Sequence, residues 1–152
     1  MSSLLFKLPI SLCFLIYGTA TAQNSSYINP TGTYNYGVIN KNEKKQGYFA
    51  EMQVVSLASD KIIVSIVINK GYPSFNNGSF IDTLTYQNNK ATYYLYFEAK
   101  TECKIDFIFS SKSALVKESN EKDNCDFGNG VYADFIMKKK SSLMPRITDL
   151  AK

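Results

Sequence analysis

Histidine and tryptophan are absent from this chain of 152 residues. Without histidine it lacks the side chain that titrates unperturbed near neutral pH, and the commonest transition-metal ligand. Ser-His-Asp and Cys-His nucleophile chemistry are excluded on the same ground. Positive charge is in small excess: 17 Lys and Arg stand against 13 Asp and Glu. That balance is too mild, and too scattered along the chain, for a nucleic-acid partner. No glycine-rich phosphate loop precedes a helical pattern, and no helical period persists. A long hydrophobic run is missing too. The apolar, uncharged run Leu8–Tyr17 falls short of the about 20 residues that cross a bilayer.

What that stretch does match is a secretory leader. A weakly basic start ending at Lys7 precedes it, and Gly18-Thr19-Ala20-Thr21-Ala22 follows, with Ala20 and Ala22 in the two small-residue positions. The pattern predicts cleavage after Ala22, leaving Gln23 as the new N-terminus. Residues 1–22 are then a signal peptide, 23–46 a polar N-terminal segment with one short strand, 47–140 a β-barrel domain and 141–152 a C-terminal tail. A lipoprotein is disfavoured because Leu12, not a small residue, precedes Cys13.

Cleavage removes Cys13 and leaves Cys103 and Cys125. Two cysteines in an exported chain pair more often than not, and the loop they would close is worth roughly 3 kcal/mol. A metal-binding thiol pair would lack its usual histidine partners.

The 11 Tyr and 10 Phe, with many Ile, Val and Thr, are residues that fit a pleated sheet. Alternation predicts strands over Thr33–Val38, Tyr48–Leu57, Lys61–Asn69, Phe80–Tyr86, Lys90–Phe97, Cys103–Phe109, Ala114–Glu118 and Val131–Lys138. Ser59-Asp60 and Asn88-Asn89 read as tight turns. The Lys61–Asn69 strand is apolar on both faces, so it is central or covered on both sides. Segment 70–79 contains Pro73, Gly71 and Gly78, which argues against ladder pairing there. Seven or eight short strands with short connections imply an all-β fold, a small antiparallel barrel or meander tied by one disulfide.

Several residues stand out for binding. Tyr72, Ser74, Phe75 and Asn76 lie on the Pro/Gly-framed connection, and loops on rigid β scaffolds often carry function. Against this, Tyr72 and Phe75 fold back to plug the barrel in the structural alternative. Tyr94 and Tyr96 share one face of their strand, opposite Tyr93, Leu95 and Phe97, as a contact stripe or as cross-strand packing. Asp82, Asp106 and Asp134 are candidate paired carboxylates or solvent-facing strand residues. Asp82 shares parity with Phe80 and Leu84, which makes it the least ordinary of the three. Asp123-Asn124-Cys125-Asp126 is a poor calcium loop. Asn24-Ser25-Ser26 and Asn77-Gly78-Ser79 match a glycosylation sequon. Lys138-Lys139-Lys140 reads as a solvated strand end, with attraction to a membrane surface as the lesser reading.

The C-terminal half carries a pattern: Cys103-Lys104-Ile105-Asp106-Phe107-Ile108-Phe109, then Cys125-Asp126-Phe127-Gly128-Asn129-Gly130-Val131, then Lys138-Lys139. It resembles a group of small secreted bacterial β-barrel proteins with an F-x-F strand between paired cysteines and a G-F-G-x-G-V-type turn. More distantly it is similar to the barrel-shaped inhibitors of C-type lysozyme in bacterial envelopes. The resemblance covers roughly Gly47 to Lys139. Asp126 stands where the pattern has glycine, and Phe135 replaces a glycine after Ala133-Asp134. Physically, Phe127 is placed to cap the barrel, with Cys125 tying its turn to the sixth strand.

The expectation is a secreted or periplasmic, non-enzymatic protein that binds a secreted or envelope protein. The resemblance narrows this to an inhibitor of a cell-wall hydrolase such as lysozyme. Mild positive charge argues against a lysozyme, which is itself basic. An apolar-ligand carrier would need small inward residues, whereas Ile66, Phe107, Phe109 and Phe135 are bulky. A carboxylate hydrolase would need two acids to converge. No metal, cofactor, nucleic acid or membrane segment after cleavage is expected, and the sequence specifies no oligomeric state.

Overall fold

The computed structural model describes residues 26–97, 101–119 and 125–147. The predicted leader, its cleavage point after Ala22, the Asn24 sequon and the last tail residues, 148–152, lie outside these.

Eight antiparallel strands follow one another around a closed barrel: β1 (Gly32–Tyr36), β2 (Phe49–Ala58), β3 (Lys61–Asn69), β4 (Asn77–Gln87), β5 (Lys90–Phe97), β6 (Thr101–Phe109), β7 (Ser113–Ser119) and β8 (Asp134–Ser141). Closure comes from β1, which pairs with β2 on one side and β8 on the other. The strand placed by the sequence in the polar N-terminal segment is thus the keystone of the barrel. Among the described residues the only helical element is a 3-10 turn, Glu43–Lys45, capped by Asn42.

Alternation decides the interior. Tyr34, Met52, Ile66, Ile105, Phe107 and Met137 are each 0–1 % exposed, and every strand sends alternate side chains inward. An eight-stranded barrel is just wide enough for such side chains to fill it. On β3, Ile62, Val64, Ile66 and Ile68 point inward, while Ile63 and Val67 are half-buried on the outer face.

The two ends of the barrel differ. At one end lie three tight connections: β2–β3, β4–β5 and β6–β7. Asn88 and Asn89 both take positive φ (51° and 61°), the geometry that matches hairpin twist. The segment Ser26–Thr31 crosses this end and seals it. Asn89 Oδ1 accepts from Ile28 N at 2.8 Å, and its Nδ2 donates to Ser26 O at 2.9 Å. Tyr86 Oη donates to Ile28 O and Tyr34 Oη to Pro30 O. Burial pushes the Tyr86 hydroxyl up to about 12 and raises that of Tyr34 as well. At the other end lie the longer connections: β1–β2, β3–β4 and β7–β8.

Most strand boundaries shift by one to three residues from expectation, β8 running on to Ser141, and three of the shifts have a visible cause. Pairing in the 70–79 segment is not lost throughout, because β4 begins at Asn77, and Asn77, Gly78 and Ser79 pair with Asn69, Ile68 and Val67. Glycine at 78 leaves room for Phe127, which lies over it; a Cβ there would stand 2.2 Å from the ring. β8 begins at Asp134, not Val131. The donors of Val131, Tyr132 and Ala133 are taken by Gly128 O, Tyr48 Oη and the Glu118 carboxylate instead of a neighbouring strand. β1 ends at Tyr36 because Gly37 turns the chain with φ +69°.

Cys103 and Cys125 form the disulfide, with Cα atoms 4.9 Å apart. It ties the β7–β8 connection, at Cys125, to β6. From there Phe127, 8 % exposed, covers the loop end of the barrel as the sequence suggested.

Candidate functional site

The β3–β4 connection is a small rigid frame. Gly71 has φ +77°, and a Cβ there would lie 2.4 Å from Gln46 O. Tyr72 N donates to that same carbonyl at 2.8 Å, and Phe75 N donates to Gly71 O at 2.8 Å. Asn69 Oδ1 accepts from Gly71 N, and Asn76 Nδ2 donates to Asn129 O at 2.7 Å. The Tyr72–Pro73 peptide is cis.

This frame holds Tyr72 and Phe75 outward. They are 51 % and 36 % exposed and meet edge-on, with ring centroids 6.4 Å apart. Neither ring plugs the barrel; Phe127 does that. Ser74 is exposed at the tip, whereas Asn76 is half-buried and engaged in the frame.

Beside the frame sits a second aromatic group. Tyr36 stacks on Phe135 at 4.8 Å, and Tyr48 meets Tyr36 edge-on. Tyr48 Oη accepts from Tyr132 N at 2.7 Å. Burial raises the Glu118 carboxyl above its ordinary range; the Ala133 N–H opposes this and the Asp134 charge reinforces it.

Tyr94 and Tyr96 lie on the outer face of β5, 45 % and 70 % exposed, with rings stacked 6.2 Å apart. Tyr93 and Leu95 face the core. Among the described residues no ring contact joins this pair to Tyr72 and Phe75, so the sequence candidates form two separate surfaces.

The three candidate acids stand on three different strands. Asp106, on the outer face of β6, is held by Lys90 at 2.9 Å, Lys104 at 3.3 Å and Thr92 at 2.8 Å. Burial alone would raise its pKa, but these hydrogen bonds outweigh burial and lower it. Asp134 opens β8 opposite Lys117. Asp82 is exposed and its Oδ1 accepts from Thr83 N at 2.7 Å. Among the described residues no group of three or more Cys, Asp or Glu side chains is gathered for a metal. Asp123 and Asn124 lie outside them, and Asp126 is exposed.

Sequence reasoning missed the junction of β4 and β5. These strands pair only through Tyr86–Ala91 and Gln87–Lys90. Continued, that register would set Tyr93 opposite Leu84. The Tyr93 ring instead stacks on Phe80, centroids 3.9 Å apart and planes 9° apart. The strands diverge above their hairpin, and the stack fills the interior behind the divergence. Burial raises the Tyr93 hydroxyl, and the Asp82 charge adds to the rise. The one signal available was the acid Asp82 sharing parity with Phe80 and Leu84.

Compared with family models, curated proteins and solved structures, the chain matches none. Among the described residues no helix is long and apolar enough to cross a membrane.

Proposed function

We propose that this is a secreted or periplasmic, non-enzymatic binding protein that engages an exterior or envelope protein through Tyr72 and Phe75. The observation that carries this reading is the exposure of both rings on a hydrogen-bonded frame above a filled barrel. Exposed aromatics held rigidly supply contact area at small entropic cost, as interface anchors do. The disulfide favours an oxidising compartment. The bulky interior weighs against an apolar-ligand carrier, and the two lysines on Asp106 weigh against a carboxylate pair.

Within this class the specific version is an inhibitor of a cell-wall hydrolase such as lysozyme. It is tested by measuring lysis of cell walls by C-, G- and I-type lysozymes with added protein, alongside direct binding. The expected result is inhibition at micromolar protein, with Tyr72→Ala and Phe75→Ala together weakening it at least about tenfold, which corresponds to 1.4 kcal/mol. No binding to any of the three rejects the hydrolase version. Binding that survives the double substitution rejects the loop as the contact.

A further inference from the structure

A closed barrel normally has no free strand edges. Here the hydrogen bonding between β4 and β5 stops after two residue pairs. β4 remains paired with β3 from Asn77 to Thr85, and β5 with β6 along its length. Above the hairpin each strand is therefore bonded on one side only, and the two unpaired edges face each other. Between them opens a cleft of about 630 Å³, whose walls include Asp82, Thr83, Thr85, Lys90, Thr92 and Tyr94. The Phe80–Tyr93 stack joins the same two strands on the core side.

We propose that this cleft takes an extended segment of another polypeptide as an added strand, with a lysine or arginine of that segment at Asp82. Two independent features point to this occupant. Rows of unpaired backbone N–H and C=O groups recognise extended backbone, the mode in which peptides join a sheet edge. Charge selects the side chain. Lys90, the cation of the cleft, is already paired with Asp106, while Asp82 makes no ion pair among the described residues. The side chains of Thr83 and Thr85 suit an extended neighbour, being β-branched and able to hydrogen-bond. This site is independent of the Tyr72–Phe75 rim, and its failure would leave that reading untouched.

The test uses the purified protein and a fluorescein-labelled peptide of alternating valine and threonine with one central lysine. A second peptide carries glutamate in place of the lysine, and a third carries proline at alternate positions, removing the N–H donors. The lysine peptide is expected to bind saturably and to protect backbone amides of β4 and β5 from hydrogen exchange. The glutamate peptide should bind at least about tenfold more weakly, and the proline peptide not at all. Asp82→Asn keeps an acceptor for Thr83 N, and should erase the preference for lysine while leaving the fold intact. Absence of binding at millimolar peptide overturns the proposal. So does equal binding of the proline peptide, protection confined to other strands, or a lysine preference that survives Asp82→Asn. Self-association that protects the same amides would identify a second copy as the occupant and overturn it too.

Discussion

Phe75 occupies left-handed backbone space at φ +52°, where a bulky side chain costs about 1–2 kcal/mol. Its amide and carbonyl are both held, by Gly71 O and Asn69 Nδ2, so the frame imposes the conformation. Strain of this kind, kept on an exposed aromatic, belongs with recognition more than with packing. Phe75→Gly should relieve it. Glycine's greater freedom in the unfolded chain returns roughly 0.5–1 kcal/mol, so the variant is expected to melt at or slightly above the parent temperature by calorimetry. A fall of several degrees would show that the ring supports the fold. At this scale the sequence was partly legible. Gly71 and Pro73 announced a framed turn, and Phe127 a cap. That Phe75 itself would take the left-handed turn was not legible, because such geometry usually falls to Gly or Asn. Asn76 read as a contact residue, yet its amide is consumed by Asn129 O, a partner more than fifty positions away.

Strands were legible wherever alternation ran between clear turn residues. β3 and β5 begin and end where the sequence placed them, set off by Ser59-Asp60 and Asn88-Asn89. β4 and β8 were misjudged at their starts because tertiary neighbours decide those residues: Phe127 over Gly78, and Glu118 on Ala133 N. Cross-strand chemistry carries a prediction of its own. Asp106 joins β6 to β5 through Lys90 and Thr92, and its folded pKa lies below the ordinary carboxylate range. Its stabilising contribution is therefore complete above that range, and disappears as pH falls through the folded value. Asp106→Asn should lose about 1–2 kcal/mol at pH 7. In urea titrations repeated at descending pH, the gap between parent and variant should close below the ordinary carboxylate range. A gap that persists in acid would assign the loss to packing instead of charge.

At the scale of the whole molecule, the all-β class, the count of seven or eight strands and the cysteine pair could all be read in advance. The divergence of β4 from β5 could not, since each strand taken alone alternates normally and only their mutual register reveals the gap. The disulfide spans 22 positions, and both sulfur-bearing residues are buried. Replacing both with serine should cost about 3 kcal/mol, read as a lowered urea midpoint with the strand signature of the circular-dichroism spectrum retained. An unchanged midpoint would mean that the tie adds nothing to the closed barrel. An even number of up-and-down strands has one more consequence. Gly32, where β1 starts, and Ser141, where β8 finishes, are brought to the same pole, the one sealed by Ser26–Thr31. Held to a bead or a sensor chip at that pole, the molecule would stand with Tyr72 and Phe75 facing away from the support. Orientation on a surface is thus built into the winding of the chain.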